Sequence, residues 1–173
     1  IIMVLIKLFY LSVRGVKIMK HYLRGSQWGK WDLHVHTASS YDAHYKGEDS
    51  DELLCKAWKE KELKAVAITD HFLIDKARIQ KLRKLIPEMT IFPGVELRTD
   101  KGATNIHVIA IFSNEDNLSE LEEDFNSIML RDKANAKDDN ETIYWDFNDI
   151  IDFVKKRQGI LSIHAGKKSN GID

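Results

Sequence analysis

The stretch WDLHVHTASSYD, residues 31–42, holds two histidines one residue apart at the end of a strand-like run. Side chains at i and i+2 of a strand face the same side, so His34 and His36 can ligate one metal ion together. Further strand-like runs follow at 65–69 (AVAIT), 89–97 (MTIFPGVEL, interrupted at Pro93-Gly94), 105–112 (NIHVIAIF) and 160–164 (ILSIH). AVAIT is continuously apolar, as expected of a strand buried on both faces. Between these runs the spacing predicts helices. The first runs from a Ser50 cap to about Leu63, and the others cover 74–85, 117–130 and 146–157, the last ended by Gly159 at its C′ position. The acidic, Asn-rich stretch 131–142 reads as a solvated loop. Strands alternating with helices predict an α/β fold with a mostly parallel sheet.

The remaining histidines sharpen this pattern. His71 follows the second strand, Glu96 closes the third, His107 lies in the fourth and His164 ends the fifth. Ligands of parallel α/β folds bind outside the carboxyl ends of strands. A mixed His and carboxylate cluster without thiolate suits a catalytic metal site, whereas structural zinc more often takes cysteine. A lone histidine on a strand is usually a hydrogen-bonded core residue, which is the reading for His21 and His44. Six candidates at strand ends point jointly to metal.

Composition sets the outer bounds. The chain has 173 residues, 43% apolar and 31% charged, enough for one globular domain. Its net charge of −1 argues against a globally basic nucleic-acid binder. No stripe of interleaved aromatic and basic residues marks a single-strand channel, and Trp28, Trp31 and Tyr41 read equally well as core. Cys55 is the only cysteine, which excludes an intrachain disulfide and a Cys-rich zinc module and makes a reducing, cytoplasmic setting the expectation.

The two ends differ from the middle. Residues 1–31 carry six basic residues and no acidic one, leaving 20 basic against 27 acidic in 32–173, a net −7. The first thirteen residues are apolar except Lys7 and Ser12, too short a run to cross a bilayer, which takes about 20. Residues 1–24 are therefore set apart as an extension with three open readings: an extra buried element, sequence upstream of a true start at Met19, or a membrane-surface anchor. No membrane partner is expected for the domain itself. At the other end GKKSNGID follows directly on a strand, which predicts a domain over 25–173 whose barrel is cut short.

In order, DLHVHTASSYD (32–42), AITDH (67–71), PGVEL (93–97), the His107 strand and SIHAG (162–166) resemble the motifs of the PHP (polymerase and histidinol phosphatase) superfamily. The resemblance covers about 27–170 and is specific in combination. It implies a distorted (β/α)7 TIM-like barrel, here incomplete, with two or three divalent ions (Zn, Mn, Fe or Mg) at its rim. It implies metal ligation by His34, His36, Asp42, His71, Glu96, His107 and His164, with His34, His36, Glu96 and His71 central to catalysis. Asp32 and Asp70 would orient imidazoles beside them. Lys167, Lys168 and Arg98 are candidates for phosphate contact. The implied reaction is hydrolysis of a phosphate ester, small molecule or nucleic-acid end, by a metal-activated water. The D-x-H motif that usually ends such domains does not follow His164. GSQWGKWDLHVHT (25–37) and HAGKKSNGID (164–173) also resemble PHP domains fused to a large ATPase, so a fused or associated ATPase is an expected partner.

Other functions stay open at this stage. The domain could be non-catalytic, with a regulatory or structural role for an ATPase or polymerase. It could be another metallohydrolase such as an amidohydrolase, but no strand carries the terminal lysine that reading calls for. It could be a bare metal-binding module.

Overall fold

A computed structural model describes residues 29–102, 105–131 and 143–163. Five strands form one sheet in the order β1-β2-β3-β4-β5: β1 Lys30–Val35, β2 Leu63–Ile68, β3 Thr90–Arg98, β4 His107–Ile111 and β5 Ile160–Ile163. The described helices are α1 Ser50–Glu60, α2 Lys76–Leu85, α3 Leu118–Asp124 and α4 Phe147–Lys156, and α3 runs on into a π-helical turn, Phe125–Met129. The sheet curls into part of a TIM-like barrel. Among the described residues no helix is long and apolar enough to cross a membrane. The extension 1–24 lies outside the described residues.

The sheet is mixed rather than mostly parallel. β1, β2 and β3 run parallel, but β4 is antiparallel to both β3 and β5. The connection from Arg98 to His107 is too short for a crossover, and parallel neighbours need one of a dozen residues or more. The reversal has a consequence for the site. His107 begins β4, and an antiparallel β4 brings that end beside the carboxyl end of β3.

Pro93-Gly94 does not break β3; it is where the strand changes partner. Residues 90–93 pair with β2, and residues 94–98 pair with β4. A Cβ at Gly94 would lie 2.7 Å from the Ala110 carbonyl oxygen, so only glycine lets the two backbones approach there.

The helix ends follow from their caps. Asp75, Asn117 and Asp146 accept amide protons in the first turns of α2, α3 and α4. For α1 the cap position falls on Asp49 rather than Ser50, and no side chain bonds the first turn. Asp51 and Glu52 supply favourable charge there instead. At the end of α4 the left-handed C′ residue is Gln158 (φ 52°), not Gly159. Gln158 N–H donates to the Lys155 carbonyl and Gly159 N–H to the Val154 carbonyl, a Schellman pair. Gly159 is required by packing, since a Cβ there would meet the Ile111 oxygen and the Phe112 ring at 2.9 Å.

The main core lies between the sheet and its helices. Val66, Ile68, Ile91, Val95, Leu97 and Val108 pack with Ile79 and Leu82 of α2, Leu121 of α3 and Ile150 of α4. The other, inner face carries a small apolar strip among the described residues, buried Ala67, Ile109 and Ile111 with Leu33 and Phe92 against them. The polar cluster stands on this inner face, beyond that strip.

Candidate metal centre

Strict alternation along β1 would place Leu33 and His34 on opposite faces. Instead Leu33 packs on the inner apolar strip while His34 reaches Glu96, which shares the inner face with its cross-strand partner Ile109. A register shift between Asp32 and Val35 accounts for this. A bulge of this kind re-aims side chains where a strand leaves the sheet.

Beyond β1 the backbone is tied down from β2 and β3. Thr37 N–H and its hydroxyl donate to the two Asp70 oxygens at 2.5 and 2.7 Å. Glu96 N–H donates to the Asp70 carbonyl and Phe72 N–H to the Glu96 carbonyl, so His71 is carried alongside Glu96. Phe72 holds this turn at φ 57° while fully buried, an arrangement that costs about 1–3 kcal/mol and persists only under surrounding constraint.

Glu96 is the hub. Its Oε2 lies 2.6 Å from His34 Nε2, 2.9 Å from His36 Nε2 and 3.7 Å from His71 Nε2, and its Oε1 lies 2.7 Å from His107 Nδ1. Asp42 approaches from the loop, 3.5 Å from His71 Nε2 and 3.4 Å from His36 Nδ1. Three overlapping triads result: His34, His36 and Glu96; His36, Asp42 and His71; His71, Glu96 and His107.

The donor chemistry fits a cation. The Ser40 hydroxyl donates to Asp42 Oδ1 at 2.6 Å, so a hydrogen bond from His36 to Ser40 or Asp42 must use Nδ1–H. That tautomer leaves a lone pair on His36 Nε2, which faces the Glu96 carboxylate and, at 3.0 Å, His34 Nε2. Lone pairs converging on an anion require a positive charge between them, either a metal ion or a proton. Burial alone would lower the His36 pKa, but the hydrogen bond and charge of Glu96, with Asp42 and Asp70, raise it above its ordinary value. Burial works against the Glu96 carboxylate too, yet its contacts with His107, His34 and His36 hold it far below the usual range.

His71 differs. Burial, the largest cause, pushes its pKa down to about 4 against the pull of Glu96 and Asp42, so it is a neutral imidazole at pH 7. Its Nδ1 is buried with no hydrogen-bond partner among the described residues. Its Nε2 stands beyond hydrogen-bond reach of Asp42 and Glu96, at 3.5 and 3.7 Å. Ligand atoms on one tetrahedral zinc, with bonds of about 2.0–2.1 Å, stand about 3.3 Å apart. That spacing from two carboxylates would suit a metal ligand.

The PHP domain profile matches residues 32–164. The chain belongs to the PHP domain family. No curated protein matches it. A solved structure of a candidate metal-dependent phosphoesterase from Bifidobacterium adolescentis is 15% identical with a TM-score of 0.53, covering 83% of this chain and 70% of that one. An amidohydrolase from Chromobacterium violaceum, with sulfate and no metal bound, is 13% identical with a TM-score of 0.49, covering 79% of this chain and 69% of that one. At such identities the likeness to the phosphoesterase is one of fold alone.

Within the PHP domain, the structure brings His34, His36, Asp42, His71, Glu96 and His107 into one cluster. His164, Lys167 and Lys168 lie outside the described residues, as does His21. His44 is exposed and joins none of the triads. Asp32 accepts the His34 main-chain N–H at 3.3 Å, and Asp70 accepts from Thr37; in these bonds both hold backbone and loop rather than an imidazole. Arg98 is buried beneath the cluster, bonded to His107 and to the Ile143 carbonyl.

Two supporting residues were not singled out from sequence. Ser40 links His36, Asp42 and the His71 amide through one hydroxyl. Thr37 clamps Asp70. Both sit inside HTASSYD, whose hydroxyl-rich loop between ligands was the available signal. Tyr41 lies over His71 with ring centres 4.9 Å apart and forms one wall of the site.

Proposed function

We propose that this PHP domain is the metal-binding part of a hydrolase that cleaves phosphate esters. The observation that carries the reading is the buried Glu96 carboxylate ringed by four imidazoles, one of which, His71, has no hydrogen-bond partner at Nδ1 among the described residues. His34, His36, Asp42, His71 and Glu96 would hold the ions, with His107 and His164 added by the family resemblance. Bound divalent ions would supply a hydroxide at neutral pH, by lowering the pKa of water from 15.7 toward about 7, and would neutralise charge on phosphoryl oxygens.

The protein's own groups set up that chemistry. Glu96 offers one oxygen on the His34–His36 side and the other on the His107 side, so it can serve two ions. Asp42 and Ser40 hold His36 by its Nδ1, which keeps Nε2 directed at Glu96. Tyr41 and Phe72 cover His71 and exclude water from it. Lys167 and Lys168 are proposed to meet the phosphate. The ions are drawn from Zn, Mn, Fe and Mg. The substrate is a phosphate ester of a small molecule or a nucleic-acid end, and an ATPase domain is a proposed partner.

The test is turnover of p-nitrophenyl phosphate and bis-p-nitrophenyl phosphate by the chain loaded with each metal. Metal-dependent hydrolysis of either, lost in Glu96→Ala and His34→Ala, is expected. Equal rates in both variants would overturn the proposal, and bound metal with no turnover would favour a non-catalytic role.

A further inference from the structure

Asp42 stands apart from the other candidate ligands. It lies on the loop that follows β1, and its side chain is 44% exposed, against 28% or less for His34, His36, His71, Glu96 and His107. A carboxylate that open to water keeps its rotamer freedom unless a partner fixes it. Here the partner is a hydroxyl. Ser40 Oγ donates to Asp42 Oδ1 at 2.6 Å, and the other carboxylate oxygen, Oδ2, then faces His71 Nε2 at 3.5 Å.

The same hydroxyl reaches the second member of that pair. The His71 main-chain N–H donates to Ser40 Oγ at 3.3 Å. A serine hydroxyl has one proton to give and two lone pairs to accept with. One oxygen can therefore key Asp42 and His71 to each other, although they come from different loops. His36 Nδ1 also lies 3.2 Å from it, but His36 follows directly on β1 and keeps Glu96 at 2.9 Å.

Ser40 is anchored without help from Asp42. It is fully buried, its N–H donates to the Thr37 carbonyl at 3.1 Å, and its carbonyl accepts from the Ala43 N–H at 3.2 Å. Thr37 is clamped to Asp70, and the neighbouring Ser39 hydroxyl donates at 2.7 Å to Asp75, the cap of α2. A turn fixed against β2 and α2 thus holds a carboxylate that belongs to the open loop. The position at His34 and Glu96, 2.6 Å apart, is set instead by the strands β1 and β3.

We propose that Ser40 is a positioning residue for one of the cation positions: by holding Asp42 against His71 it sets the affinity of an ion bound by those two side chains, while the ion among His34, His36 and Glu96 is set by the sheet. The inference rests on the reading of the cluster as a metal centre. It makes the two positions unequal, one built into the strands and one assembled by a single hydroxyl.

The test is a zinc titration of the whole metal-free chain against a chromophoric chelator, repeated for Ser40→Ala, Asp42→Ala and the double variant. The unaltered chain is expected to bind zinc in a tight and a weak class. In Ser40→Ala the weak class should lose about tenfold in affinity, the scale of removing a group that orients a ligand, with the tight class unchanged. Because Ser40 acts through Asp42, the double variant should lie within about twofold of Asp42→Ala alone.

Independent, additive effects of the two substitutions overturn the inference. So does a weak class that keeps its affinity in Ser40→Ala. Loss of both classes together in that variant also overturns it, since that is what a serine needed only for folding would give. A single class in the unaltered chain overturns the inference alone, whereas no bound zinc at all defeats the proposed function, and this inference with it.

Discussion

On its helix-covered face the sheet presents Val66, Ile68, Val95 and Val108 to a continuous apolar layer, whereas its inner side carries His34, His71, Glu96 and His107. The first face is held by many small contacts, and each side chain there can be trimmed at a finite cost. The second holds a buried carboxylate among imidazoles whose hydrogen bonds cannot all be satisfied without added positive charge. Stability is concentrated on one side and ligand chemistry on the other. Substitutions should therefore sort into those that unfold the chain and those that empty it of metal.

Glu96→Gln attacks the inner face most directly. It removes the charge shared by His34, His36 and His107, and metal content of the folded chain should fall below one ion in twenty chains, read by elemental analysis. Leu82→Ala attacks the other face. Leu82 is fully buried on α2, so about 2–5 kcal/mol of stability should be lost, while metal per folded chain stays unchanged. Denaturant unfolding and elemental analysis on the same samples check both parts. If Leu82→Ala empties the site while the chain stays folded, the two faces are coupled and the comparison fails.

Thr37→Val comes next in size and tests the tie between them. It removes the hydroxyl that donates to Asp70 and leaves the amide. A hydrogen bond to a charged group is worth about 1.5–3 kcal/mol. Unfolding should show a loss in that range, with metal affinity weakened several-fold by titration.

Acidification gives the smallest and most graded effect. His71 has its folded pKa lowered to about 4, so its contribution to stability is present above its unfolded value of about 6.5 and is lost as pH falls through about 4. Glu96 and Asp42, also lowered, add loss below the usual carboxylate range. His36 is raised and acts oppositely, its contribution being full below about 6.5 and lost as pH rises through its folded value. The metal-free chain should destabilise between about pH 6.5 and 4, and His71→Asn should flatten that slope. An unchanged slope would remove His71 from the account.

Much of this was legible before the fold was known. Strand and helix alternation placed every described element within a few residues, because apolar runs and helical spacing are local signals. H-x-H, TDH and VEL marked the cluster because strand ends converge in such folds. The reversal at β4 was missed, the sheet being expected to be mostly parallel, although the short spacing between Glu96 and His107 leaves no room for a crossover. The bulge in β1 was not legible, since a register shift depends on pairing with β2. Neither was the Arg98–His107 pair, because which residues face each other across a hairpin depends on where its turn falls. Gly159 read as a helix end, but the left-handed residue is its neighbour, and the glycine answers a clash with Phe112 that only tertiary packing creates.

The most direct measurement is the divalent metal content of the purified chain by elemental analysis, normalised to folded monomer and repeated for Glu96→Gln. The account predicts at least one tightly held ion per folded monomer, absent from the variant. A folded monomer that carries no ion, or a variant that keeps it, would contradict the claim that Glu96 and its histidines form a metal centre.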